Sequence, residues 1–174
     1  TITVNGSPGS LPAGGTFGDA TYDAGTGMLS AGTFVFPPAS AVVAIQGFGD
    51  VTVNYQFSQT NTSTAAVAGD GVAAMTTVHA KLEILSTSLP LSVTPCVFEP
   101  IDLDLVGTGT VAGLDLADAV FSVPPTQSSC GGFASQINSG LAGSNNSIEL
   151  LIEGDFTPPS GSSDIIFDDG FDGG

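Results

Sequence analysis

The sequence predicts an all-β domain, an antiparallel β-sandwich or jelly roll with one short helix near 133–141. Three observations carry that expectation. Apolar and polar residues alternate with the period of a strand that has one buried face and one wet face. Val51, Val53, Tyr55 and Phe57 alternate with Thr52, Asn54 and Gln56, and Val78, Ala80, Leu82 and Ile84 with His79, Lys81 and Glu83. The alternating stretches are short and punctuated by Gly, Pro, Asn and Asp, with 24 glycines and 11 prolines among 174 residues, which reads as many strands joined by turns. One place alone has helical spacing, at Phe133, Ile137 and Leu141. The glycines and prolines follow no period, so a collagen-like chain is excluded.

Residues 1–4 form an apolar strand before Asn5-Gly6, a dipeptide suited to the positive φ angles of a tight hairpin turn. Residues 7–15 read as loop. Residues 16–22 read as a weak strand interrupted at Gly18, and 23–27 as a turn. A strand at 28–36 stops at Pro37-Pro38, and an apolar stretch of strand length follows at 40–46. After the strand at 50–58 come a polar loop at 59–64 and a small-residue stretch at 65–74 that periodicity does not assign, with a turn at Asp70-Gly71. The strand through 78–85 breaks at Leu89-Pro90. Further strands are expected at 91–97 and 101–106, the latter with Asp102 and Asp104 on its wet face. Residues 107–110 continue that strand or turn a hairpin. Residues 114–123 alternate imperfectly, as around a bulge, and stop at Pro124-Pro125. The last core strand spans 147–156, with Ile148, Leu150 and Ile152 inward and Glu149 and Glu153 outward. The organisation expected is one domain at 1–156, a Pro/Ser/Gly linker at 157–163 and an acidic tail at 164–174.

Charge narrows the partners. Seventeen acidic residues face one lysine and no arginine, for a net charge of -16. Carboxylates must therefore be solvated, hydrogen-bonded or bound to cations. Nucleic acid and anionic membrane surfaces are poor partners, because nothing neutralises phosphate, and no nucleic acid partner is expected. No apolar run is long enough for a membrane-spanning helix. A single lysine leaves one conventional trypsin site, which suits exposure to extracellular proteases. Cys96 and Cys130 read as a disulfide, closing a loop of about 35 residues and stabilising by about 4 kcal/mol. One histidine and two distant cysteines do not supply a tetrahedral metal site. The chain begins at Thr1, and a removed export leader is expected.

The tail carries the strongest functional signal. It places Ile165, Ile166, Phe167 and Phe171 among Asp164, Asp168, Asp169 and Asp172. An acidic, Gly-rich tail is disordered unless its apolar residues find cover. Cover can come from the chain's own sheet or from the sheet edge of a neighbouring subunit, joined as an added strand. The order of residues leaves both open. Ile2 and Val4 of the first strand are the second candidate for such assembly. The four aspartates around Gly170 offer oxygens to a hard cation such as calcium, although their spacing matches no EF-hand loop.

Catalytic arrangements are weaker. His79 would be the base of a Ser-His-Asp hydrolase, but it lies mid-strand on a wet face and no G-x-S-x-G elbow exists. Asp102 and Asp104 stand about 7 Å apart along one strand face, and no tryptophan is present to stack a sugar beside them. A solvated strand face is the simpler account of all three residues, and no catalytic residue is assigned. Asn5, Asn61 and Asn145 begin formal glycosylation sequons.

The tail Ile166-Phe167-Asp168-Asp169-Gly170-Phe171-Asp172 resembles the I-F-x-D-G-F-[E/D] endings of many exported bacterial proteins. Residues 96–156, with PCVFEPIDLDL, FSVPP, SSCGG and NNSIELLIEGDF, resemble secreted bacterial all-β proteins without an established activity. Gly173-Gly174 is similar to the ends of bacterial sorting tails that carry a Gly-Gly signal. The resemblance implies an exported, surface or extracellular protein and supplies no activity. The expectation is a non-enzymatic structural protein, a surface or pilus-like filament subunit that self-associates by strand addition, with no cofactor unless calcium. The alternative is a monomeric adhesin or calcium-dependent carbohydrate-binding module.

Overall fold

A computed structural model describes residues 1–23, 25–26, 28–68, 73–90, 92–110, 113–153 and 169–171. The described residues are all-β with one short helix, as expected. The strands are β1 (Ile2–Val4), β2 (Ser7–Ser10), β3 (Gly15–Gly18), β4 (Thr21–Asp23), β5 (Met28–Val35), β6 (Ala39–Ile45), β7 (Gly49–Gln59), β8 (Ser63–Ala68), β9 (Ala73–Thr87), β10 (Val97–Thr110), β11 (Gly113–Val123), β12 (Gly143–Glu153) and β13 (Asp169–Phe171). Helix α1 (Ala134–Leu141) precedes β12.

Several strands are consecutive pieces of one position. β5 and β6 lie end to end against β7 and β8, with Leu29 opposite Ala65, Val35 opposite Ser58 and Ala39 opposite Tyr55. The break between β5 and β6 falls at Pro37-Pro38, since proline cannot donate to a ladder. β7 and β8 together line β9 in the same way. β2 pairs with β6, and β3 and β4 pair with β5. Every neighbour is antiparallel. β1 pairs with β2 on one side and with β12 on the other, which closes the sheet into a barrel. The expected sandwich of two separate sheets is thus corrected to a closed ring. β9 and β10, of 15 and 14 residues, are the longest strands of that ring, with an irregular register between Phe98 and Ile101.

The interior is filled by side chains. Val51, Val53, Tyr55 and Phe57 of β7 and Val78, Ala80, Leu82 and Ile84 of β9 are buried, as their alternation predicts, and Leu103, Leu105, Leu116, Ile148, Leu150 and Ile152 join them. Phe17, Phe34, Phe36, Phe57 and Phe121 form a run of ring contacts with centroids 4.5–6.2 Å apart. His79, Asp102, Asp104, Glu149 and Glu153 face outward and are exposed. Among the described residues, no helix is long and apolar enough to cross a membrane.

Helix α1 packs over one end of the barrel beside β6 and buries Ile137 and Leu141. The Cys96–Cys130 disulfide ties the segment before β10 to the turn before α1. Gly131, at φ 65°, follows that cysteine so closely against the backbone that an added Cβ would lie 2.0 Å from the Ser92 carbonyl oxygen.

Three local expectations differ. Residues 7–10, expected as loop, form β2, because pairing with both β1 and β6 outweighs the poor strand propensity of Ser-Pro-Gly-Ser. The polar loop expected at 59–64 is shorter, since β8 begins at Ser63. The strand expected at 91–97 is absent over 92–96; there Val93 and Cys96 are buried, and the Cys96 carbonyl accepts the Ile84 N–H at 2.9 Å. Pro95 has no N–H to donate to a ladder. Residues 107–110 continue β10, and β11 carries irregular register between Asp118 and Val123.

Tyr55 is fully buried, and its hydroxyl has no hydrogen-bond partner among the described residues. An added Cβ on Gly9 would lie 3.2 Å from that oxygen, so glycine leaves the ring its space. Burial pushes the Tyr55 pKa up to about 12 from 10.0. A raised folded-state pKa stabilises the fold below the unfolded value and ceases to do so as pH rises through the folded one. The unfolding free energy should therefore fall between pH 10.0 and about 12. Tyr55→Phe should remove that slope and leave stability at pH 7 unchanged or raised, since it deletes an unsatisfied hydroxyl. Urea unfolding of both proteins across pH measures this.

Candidate functional site: the closing strand position

The position between β12 and the β2–β3 pieces is unlike the others. β1 occupies one part of it, with Ile2 opposite Ile148 on β12 and opposite Gly9 on β2. β13 occupies another part, with Phe171 opposite Ile152 on β12 and opposite Gly15 on β3. Both run antiparallel to β12. The first and last described strands thus share one place in the ring, and neither fills it alone. Between them, Thr1 pairs with Glu149: its N–H donates to the Glu149 carbonyl at 2.7 Å, and the Glu149 N–H donates to the Thr1 carbonyl at 2.9 Å.

The β1 part is firmly built. Ile2 and Val4 are buried at 2% and 0% exposure. Asn5 and Gly6 make the tight turn into β2 with φ of 46° and 78°, the conformation that the Asn-Gly pair favours. The Asn5 N–H donates to Asn146 Oδ1 at 2.7 Å, and the Gly6 N–H donates to the Asn145 carbonyl at 2.8 Å. The Asn5 side-chain amide donates to the carbonyls of Ser139 and Gly140, at the end of α1. Asn146 is itself buried and donates to the carbonyls of Phe121 and Gly143 at 2.9 and 2.7 Å. One side chain thereby ties β11, β12 and the β1–β2 turn together. Sequence reasoning read Asn5 and Asn145 as sequons and did not single out Asn146. The signal was present in the consecutive Asn145-Asn146 entering an apolar strand, where a buried amide needs several backbone partners.

Of the expected assembly residues, the structure places Ile2 and Val4 in this position and the backbone of Phe171 beside them. Ile165, Ile166 and Phe167 lie outside the described residues, as does the linker at 157–163. The calcium residues Asp164, Asp168 and Asp172 also lie outside them, and Asp169 is described as backbone opposite Phe17. Among the described residues, no group of three or more His, Cys, Asp and Glu gathers as a metal site.

The residues weighed for catalysis sit on the outer face of β9 and β10. His79 Nδ1 lies 2.6 Å from Asp102 Oδ1, with both side chains about half exposed. Thr77 Oγ1 donates to Asp104 Oδ1 at 2.6 Å. The lone Lys81 stands 3.8 Å from Glu83. Such exposed pairs contribute little to stability. Asp118 is different: it is buried, and its carboxylate accepts the N–H groups of Asp104 and Val120 at 2.9 and 3.0 Å, holding the irregular stretch of β11.

No family model, curated protein or solved structure matches the chain.

The Asn146 network predicts a specific cost. Asn146→Ala leaves the Asn5 N–H and the Phe121 carbonyl without this partner and should lower stability by about 2–3 kcal/mol. Asn54→Ala, which removes an exposed hydrogen bond to Ser86, should change it by less than about 0.5 kcal/mol. Urea denaturation of the two variants makes the comparison.

Proposed function

We propose that this chain is a non-enzymatic, extracellular structural protein, a surface or pilus-like filament subunit that assembles with copies of itself by β-strand addition. One observation supports the reading above the others. The ring is completed by two short terminal strands in one position, where a single continuous strand would seal it. Short strands are held by few backbone hydrogen bonds, and a vacated position presents the unpaired N–H and C=O groups that bind another strand.

The disulfide and the near absence of lysine and arginine fit life outside the cell. The net charge of -16 opposes contact between copies at neutral pH and low salt. Assembly should therefore respond to conditions that relieve repulsion. Calcium would act by bridging carboxylates, and mild acid by protonating them.

Negative-stain electron microscopy and light scattering test this on the purified chain. Regular filaments or sheets should form with millimolar calcium or at mildly acidic pH and be sparse at neutral pH in low salt. Dispersed single particles under every condition would contradict the assembly reading and leave a monomeric adhesin or carbohydrate-binding module as the account to pursue.

A further inference from the structure

We propose that the exchanged element is β13, and that the place it fills in the ring, between β12 and β3, accepts β13 from a second copy of this chain. The inference rests on the assembly reading above and names the donor, the acceptor and the polarity of the contact.

β1 is anchored by its turn as well as by its ladder. β1 is joined to β2 by a two-residue turn whose backbone and side chain bond to Asn145, Asn146, Ser139 and Gly140. Withdrawing β1 would strip partners from the buried Asn146 and expose Ile2 and Val4. β13 enters by backbone pairing to β3 at Asp169–Phe17, Gly170–Thr16 and Phe171–Gly15, and to β12 at Phe171–Ile152.

The connection to β13 is also unusual. β12 and β13 are antiparallel neighbours, a relation that a hairpin loop of about two to five residues satisfies. Here residues 154–168 intervene. Residues 157–163 of that stretch read Thr-Pro-Pro-Ser-Gly-Ser-Ser. A separation of 15 residues is far longer than such a hairpin needs. It permits β13 to enter its own ring or that of an adjacent copy.

The ladder is the same in both cases, because the β12 and β3 partners are the same residues. The balance is then set by concentration: the tether holds its own strand at an effective concentration of about millimolar, and crowding of copies beyond that favours exchange. Each copy donates at one place and accepts at that same place in the next copy. A chain of such contacts is open unless rotation closes it into a ring, which suits a filament.

The register supplies the test. Thr16 is exposed and stands opposite Gly170. Paired residues on antiparallel strands have Cα separations of about 4.5–5.5 Å, within the range of a disulfide. Thr16→Cys and Gly170→Cys are introduced separately into full-length chains carrying different mass tags, and together into a third chain. The single variants are mixed at about millimolar total concentration under the assembling condition, oxidised with diamide and read on a non-reducing gel and by mass spectrometry. The expected result is a mixed dimer joined through residues 16 and 170, and a ladder of covalent oligomers from the double variant that gives way to cross-linked monomer when the protein is diluted before oxidation. No mixed dimer, with the double variant cross-linked only within single chains at every concentration, would overturn the exchange. If filaments still form in that case, the assembly reading stands and its contact lies elsewhere; if they do not, both fall.

Discussion

Closure of the backbone hydrogen-bond ring is the constraint on which the rest of the structure depends. A twisted antiparallel sheet has two edges, and each edge exposes unpaired N–H and C=O groups. Here the edges are removed by bringing β12 against β1 and β13. The inward faces of β7, β9, β10 and β12 then meet across one interior, and the alternation along each strand becomes a packed core of valines, leucines, isoleucines and phenylalanines. The helix and the disulfide secure one end of the ring, but they do not close it.

A chain with one lysine must hold its corners together without ion pairs, and neutral amides take that part. Asn146 joins three elements at the closing position. Gln59 acts similarly where β7 passes into β8: its side-chain oxygen accepts the Phe34 N–H at 2.5 Å, and its two amide hydrogens are shared among the Gly32 carbonyl, the Asn61 carbonyl and Ser63 Oγ. Asp118 serves as a buried acceptor of two backbone N–H groups. Each sits where a strand breaks or bulges, and so meets backbone groups that the ladders leave over. Asp102, Asp104, Glu149 and Glu153 stay on the outer face, where water solvates them.

What was legible in the sequence followed from local periodicity. Val51 to Phe57 and Val78 to Ile84 were readable because the side-chain period of a strand is two and a core imposes it directly. Phe133, Ile137 and Leu141 marked α1 by the corresponding period of a helix, and the even cysteine count marked the disulfide. Barrel and sandwich were not separable in this way, because both ask the same alternation of each strand. They differ in whether the first strand meets β12, a contact between residues about 145 apart in the chain. β2 was missed for the same reason: Ser-Pro-Gly-Ser carries no local preference for a strand, and its neighbours impose one. At the candidate site, Ile2 and Val4 could be named from apolar character alone, whereas Asn146 could not. Its importance lies in which backbone groups it reaches.

Native-state hydrogen exchange tests the central claim most directly. If the closing position is the least secure part of the ring, the amides of β13 and the Glu149 N–H that bonds to Thr1 should exchange through local opening, well before those of β9 and β10. The latter should exchange only by global unfolding, with a common free energy and full sensitivity to denaturant. Protection at Glu149 and β13 equal to that of β9 and β10 would mean that the ring opens nowhere short of unfolding, and would contradict the account.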